Sequence, residues 1–254
     1  MKVISKDGTS IVYERQGTGP ALVLVGGGLD DGSENAPLVP ALAEHFTVYN
    51  YARRGRAGSG DTAPYAVQRE IEDIAALIAE AGPPVFVYGV SSGGMFALEA
   101  AAAGLPIDKL AVYDVPYDPD PDSAPHYDEY RQRLAAALAA DRRGDAVALF
   151  MRLAGSSETD LESARQSPYW PGLETLAPTL ANDATLYGPP PADRLATVTQ
   201  PALIATGEHN GFFAPAADAV AALLPNAVRQ TFAGQGHVAS PAVVAPALHR
   251  FFTA

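Results

Sequence analysis

Cysteine is absent from the 254 residues, which excludes thiol nucleophiles, disulfides and thiolate metal sites and leaves the redox compartment open. No apolar run reaches the roughly 20 residues a membrane-spanning helix needs. The chain passes from Met1 into strand-like sequence, Lys2-Val3-Ile4-Ser5 and Ile11-Val12-Tyr13-Glu14, without an apolar export segment. A cytoplasmic protein with no membrane partner is therefore expected. Positive charge is scarce: 17 Lys and Arg against 29 Asp and Glu give a formal net charge of -12. Such a field repels phosphate backbones, so no nucleic-acid partner is expected either. Tryptophan occurs once, at Trp170.

What is present suits a globular chain with a sizeable core, 48% hydrophobic and 18% charged, in one domain or one domain with an insertion. Two short segments around Asp7-Gly8 read as a hairpin. Short apolar runs, Ala21 to Val25, Phe46 to Tyr51, Val85 to Tyr88, Leu110 to Tyr113, Ala202 to Ala205 and Val228 to Phe232, read as buried strands. Between them lie helix-periodic stretches: Ala36 to His45, one bearing Val67, Ile71, Ile74, Ala75 and Ile78, Gly93 to Ala103, and Pro215 to Leu224; a last helix starts at Pro241. That alternation implies an α/β protein with a parallel sheet covered on both faces. From 115 to 198 the strand signal stops, and prolines, aspartates and helices such as Tyr130 to Leu138 and Asp145 to Leu153 take over. A core of residues 1–114 and 199–254 with a helical cap insertion at 115–198 is expected.

Gly89-Val90-Ser91-Ser92-Gly93 follows a strand and opens a helix, the setting of a G-x-S-x-G nucleophile elbow. The reversal must hold serine strained and exposed, so the residues two positions away must lack a colliding Cβ. A serine hydroxyl is a weak nucleophile and needs a base. Of His45, His126, His209, His237 and His249, only His237 sits in a loop between the last strand and the last helix. There it would face the C-terminal edge of the strands. His45 and His249 read as helix-surface residues, and His126 lies where it can meet substrate.

Strand, Gly26-Gly27-Gly28, the Ser91 elbow, a helical insertion and the late Gly236-His237 resemble the α/β-hydrolase superfamily over essentially the whole chain. The resemblance implies an eight-stranded, mostly parallel sheet, a helical cap, a Ser, acid, His order, and neither cofactor nor metal. In the commonest pattern the acid is an aspartate after the seventh strand, where this chain has Asn210 in Gly207-Glu208-His209-Asn210-Gly211. A neutral amide orients an imidazole but lends no charge to imidazolium. Asp114, ending the sixth strand, is the first candidate for the acid, with Glu208 next. An acid in that place is similar to the zearalenone lactonases and to a group of actinobacterial-looking hydrolases.

By the same resemblance, the backbone N–H groups of Gly28 and Ser92 form the oxyanion hole. Arg53-Arg54-Gly55-Arg56 looks like a structural Arg-Gly segment, with binding of a substrate anion as the lesser alternative. Ala52, where an Asp is frequent, weakens structural charge pairing there. Leu29, Tyr117, Met151 and Trp170 are the expected pocket residues, within a wider set of insertion aromatics that includes His126, Tyr127, Tyr130, Phe150, Tyr169 and Tyr187. The expected activity is hydrolysis of a carboxylic ester or lactone of a small, mostly apolar substrate through an acyl-enzyme, by a monomer or homodimer. C–C bond hydrolysis, perhydrolysis and ligand binding with little turnover remain open alternatives.

Overall fold

Helices that alternate with buried strands must pack on both faces of one sheet. The computed structural model of the chain, which describes residues 1–209 and 211–254, has that form. Eight strands, β1 (Lys2–Ile4), β2 (Ser10–Gln16), β3 (Ala21–Val25), β4 (Thr47–Tyr51), β5 (Val85–Val90), β6 (Lys109–Tyr113), β7 (Ala202–Gly207) and β8 (Ala227–Phe232), pair in the order β1-β2-β4-β3-β5-β6-β7-β8. β2 runs antiparallel to both neighbours and every other pairing is parallel.

The described helices that precede β7 are α1 (Val39–Leu42), α2 (Val67–Ala81), α3 (Ser92–Ala102), α4 (Ala124–Ala139), α5 (Arg143–Leu153), α6 (Glu158–Arg165), α7 (Trp170–Leu176), α8 (Leu180–Ala184) and α9 (Ala192–Leu195). After it come α10 (Phe213–Leu223) and α11 (Pro241–Thr253). Between β6 and β7 the described residues form helices and no strand. The stretch read as one helix from Ala36 is a 3-10 turn followed by the short α1. α4 begins six residues before the expected Tyr130, since Pro125 is tolerated in a first turn.

Side-chain alternation explains why the central strands are apolar throughout. Val23, Val25, Val85 and Val87 join Ile71 and Ile74 of α2 and Phe96 of α3 on one face. Leu22, Leu24, Phe86 and Tyr88 join Leu42 of α1 and Leu248 and Phe252 of α11 on the other. No described helix is long and apolar enough to cross a membrane.

Arg53, Arg54 and Arg56 are at most 1% exposed, which leaves none of them for a substrate anion. Arg53 forks onto Glu70 at 2.8 and 3.2 Å, and Arg54 onto Asp73 at 2.7 and 2.8 Å. Asp183 bonds both Arg53 and Arg56. The charge pairing that Ala52 cannot give thus comes from α2 and α8. Burial of a cation requires such partners.

Candidate functional site

β5 ends at Val90 and α3 starts at Ser92, so Ser91 must turn the chain alone. It does so at φ 54° and ψ -132°, a region a residue with a Cβ enters only at a cost of about 1–3 kcal/mol. Ser91 N–H donates to the Tyr113 carbonyl at 2.9 Å, tying the bend to β6. A Cβ on Gly89 would lie 2.6 Å from the Gly93 oxygen, and one on Gly93 would strike the carbonyls of Val25 and Gly26. Both glycines are therefore required by space. Gly93→Ala should lower unfolding stability by about 3 kcal/mol, read as an earlier denaturation midpoint. A midpoint equal to wild type would refute that close packing.

Asp114 directly follows β6, fully buried and at φ 49°. Its Oδ1 accepts the Gly207 N–H at 3.0 Å, and its Oδ2 lies 3.1 Å from His237 Nδ1. A carboxylate only accepts, so the contact places the imidazole proton on Nδ1 and leaves Nε2 as a proton acceptor. Two further groups orient the ring. The Tyr113 hydroxyl donates to the Gly236 carbonyl, and Phe213 of α10 stacks on the imidazole with centroids 4.7 Å apart and planes within 10°.

Glu208, the second acid considered, is engaged elsewhere: its Oε2 accepts the Gly234 N–H at 2.7 Å. Asn210 lies outside the described residues. His45 and His249 stack on each other at 3.8 Å, and His126 and His209 are exposed and outside the cleft lining.

Ser91 and His237 line one cleft of about 190 Å³ with Gly28, Glu34, Pro116, Tyr127, Phe150, Leu153, Ala154, Tyr187, Phe212 and Phe213. Gly27 packs against Ser91, and its N–H donates to Glu34 Oε2 at 3.0 Å. Among the described residues no protein acceptor takes the N–H of Gly28 or of Ser92. Ser92 stands at the first position of α3, where the helix itself offers its N–H no partner. Both expected oxyanion donors are thus unengaged beside the elbow.

The four expected pocket residues lie outside the lining. On α5 Phe150 takes the cleft together with Leu153, three residues on, and Ala154, just past the helix end, so Met151 points elsewhere and packs on the core. Tyr117 is 1% exposed in the core beside Pro116, and Trp170 is buried under the Arg165 guanidinium. Leu29 packs on the core while its neighbour Gly28 faces the cleft. Of the wider aromatic set, Tyr127, Phe150 and Tyr187 line it.

Glu34 was not anticipated. Glu34 as a residue is exposed, but its carboxyl turns in toward Gly27. Burial, and then Asp30 nearby, push its pKa up, against the Gly27 N–H, His237 and Arg56, which lower it. A loop acid carries no periodic signal; it is the folded loop, ordered by Asp30 Oδ1 accepting the N–H groups of Gly32 and Glu34, that brings Glu34 to the cleft. Among the described residues no group of three or more His, Asp or Glu side chains is arranged to hold a metal ion.

The alpha/beta hydrolase family model matches residues 22–247. The pimeloyl-[acyl-carrier protein] methyl ester esterase of Xanthomonas campestris is 34% identical over 253 residues, covering 94% of this chain and 97% of its own. The esterase of the same name from Stenotrophomonas maltophilia is 31% identical, with 87% of each chain covered. Among solved structures, an alpha/beta hydrolase from Sphaerobacter thermophilus superposes with a TM-score of 0.89 at 44% identity, covering 99% of this chain and 100% of that one. A thermophilic esterase from Thermogutta terrifontis shares the fold, with a TM-score of 0.78 at 20% identity over 100% of this chain and 97% of its own. The chain belongs to the alpha/beta hydrolase family.

Proposed function

We propose that this chain is a serine hydrolase that cleaves a carboxylic ester or lactone of a small, mostly apolar substrate through an acyl-enzyme. One observation carries the reading: an imidazole whose Nδ1 meets a buried carboxylate opens onto the same cleft as a serine held at positive φ. His237 Nε2 takes the Ser91 proton as Oγ bonds to the carbonyl carbon, and the carbonyl oxygen becomes an oxyanion facing the Gly28 and Ser92 N–H groups. The oxyanion collapses and the alkoxide leaves with the proton from His237; water, deprotonated by the same nitrogen, then attacks the acyl carbon, and collapse of the second oxyanion breaks the bond to Ser91 Oγ, which recovers its proton from His237 as the acid departs. Asp114 offsets the charge of the intermediate imidazolium. Ester cleavage is also the activity in the names of the curated relatives.

The helical segment between β6 and β7 acts here as the cap. It supplies Tyr127, Phe150 and Tyr187 to a cleft small enough to favour short acyl or alkyl groups. Labelling with a fluorophosphonate probe followed by peptide mapping tests the nucleophile, and a panel of esters and lactones tests the substrate class. Modification at Ser91 with turnover of at least one panel is expected. A folded wild type that resists the probe would favour a ligand-binding protein instead.

Glu34 sets a charge preference in this reading. Glu34→Gln should raise kcat/KM for an ester bearing a carboxylate, such as monomethyl succinate, by about tenfold relative to methyl butyrate, because like-charge repulsion of about 1.4 kcal/mol is removed. In wild type the discrimination deepens as pH climbs through the raised pKa, since the carboxyl bears charge only above it. Equal effects on the two esters would remove Glu34 from substrate selection.

A further inference from the structure

The backbone from Gly26 to Asp30 carries one of the two proposed oxyanion donors, so whatever fixes that loop fixes the electrostatics of the reaction. Arg56 Nη1 donates to the carbonyls of both Gly27 and Asp30, the latter at 3.1 Å. Arg53 Nη1 lies 3.4 and 3.5 Å from the carbonyls of Gly26 and Gly27. Neither guanidinium is free to choose its orientation. Asp183, from α8 in the helical segment, accepts from Arg53 Nη1 at 2.7 Å through Oδ1 and from Arg56 Nη2 at 2.9 Å through Oδ2. Glu70 of α2 holds the other edge of Arg53. A Cβ added to Gly28 would sit 3.7 Å from Asp183 Oδ2, so the carboxylate lies close against the loop.

We propose that Asp183 is a positioning residue for the oxyanion hole: through the forks of Arg53 and Arg56 it holds the Gly26–Asp30 loop in register with the Ser91 elbow. The proposal rests on the serine-hydrolase reading above. Asp183 is fully buried and is not part of the cleft lining, so it touches no substrate. Its charge by itself is also of the wrong sign, since a carboxylate near a developing oxyanion repels it. Two cations and two carboxylates, Arg53, Arg56, Glu70 and Asp183, leave the set without net charge, so its use is geometric.

That sign makes the test decisive. If Asp183 mattered only through its field, Asp183→Asn would leave an excess positive charge near the oxyanion and speed the reaction. If it positions the loop, the same change slows it. Arg56→Lys is the companion variant: it keeps the charge but replaces a planar fork by a single ammonium, which cannot span Gly27, Asp30 and Asp183 together. It carries the same test should Asp183→Asn fail to fold.

The measurements are kcat and KM for a cleaved ester, together with inhibition by a trifluoromethyl ketone, which adds Ser91 to form an oxyanion, and by the matching methyl ketone, which does not. Expected in both variants is a fall in kcat on the order of 10²-fold. KM should stay within about threefold, and affinity for the trifluoromethyl ketone should fall in step with kcat while methyl ketone binding is retained. An unchanged or raised kcat, or equal loss of both ketones, overturns the positioning role. Fluorophosphonate labelling of wild type is run first: a labelled wild type with unaltered variants overturns this proposal alone, and an unlabelled wild type overturns the underlying reading as well.

Discussion

Asp114→Asn should fold normally and turn over ester on the order of 10⁴-fold more slowly than wild type. Asn matches the shape of the carboxylate and, like Asp, tolerates the positive φ at this position. Its amide oxygen can still accept the Gly207 N–H that Asp114 Oδ1 accepts now. That orientation turns the amide nitrogen toward His237 Nδ1, where Oδ2 stands in wild type. Nδ1 must then be the acceptor, and the proton moves to Nε2, the nitrogen required to receive the hydrogen of Ser91. The imidazolium of the transition state also loses its counter-charge. Steady-state kinetics beside a circular-dichroism spectrum give the check: a folded variant within tenfold of wild type would mean that another acid serves His237.

The second large effect is at the elbow. Ser91→Ala should reduce kcat on the order of 10⁶-fold, because the remaining groups can polarise a carbonyl but form no covalent intermediate. The residual rate, on the order of 10³-fold above water, would come from the oxyanion donors and substrate binding alone. Alanine occupies the same φ of 54° with the same Cβ, so the backbone strain stays and stability should change by less than about 0.5 kcal/mol. Substrate affinity should likewise persist, measurable by titration with intact ester. A variant that kept one hundredth of wild-type turnover, or still showed a burst of released alcohol, would mean that the nucleophile lies elsewhere.

Much of this was legible in the sequence for identifiable reasons. The elbow stands where the strand period of two gives way to the helical period, and its two flanking glycines are those whose Cβ atoms would collide with backbone. Asp114 was legible from register: strand ends at one edge of a parallel sheet are neighbours in space, and Ser91 N–H bonds the residue just before Asp114. The cleft lining was less so. Phe150 and Met151 are adjacent in sequence and differ by about 100° around α5, and composition does not say which of the two faces inward. Phe213 and His237 meet only because α10 and the loop after β8 close on each other, a tertiary fact with no local trace. The partners of the arginines did leave a trace: Glu70 and Asp73 interrupt the apolar stripe of α2 beside Ile71 and Ile74, and an acid inside a buried stripe asks for a cation.

The buried arginine set also bears on how such a sequence can drift. Losing one partner of a buried ion pair costs about 3–5 kcal/mol, a large part of the stability of an ordinary domain. Asp183 answers to two arginines that lie 127 and 130 residues away along the chain. Single exchanges at 53, 56, 70 or 183 would therefore be purged, and descendants should inherit the quartet whole or replace it in a concerted step, leaving correlated substitution between the turn after β4 and the far end of the helical segment.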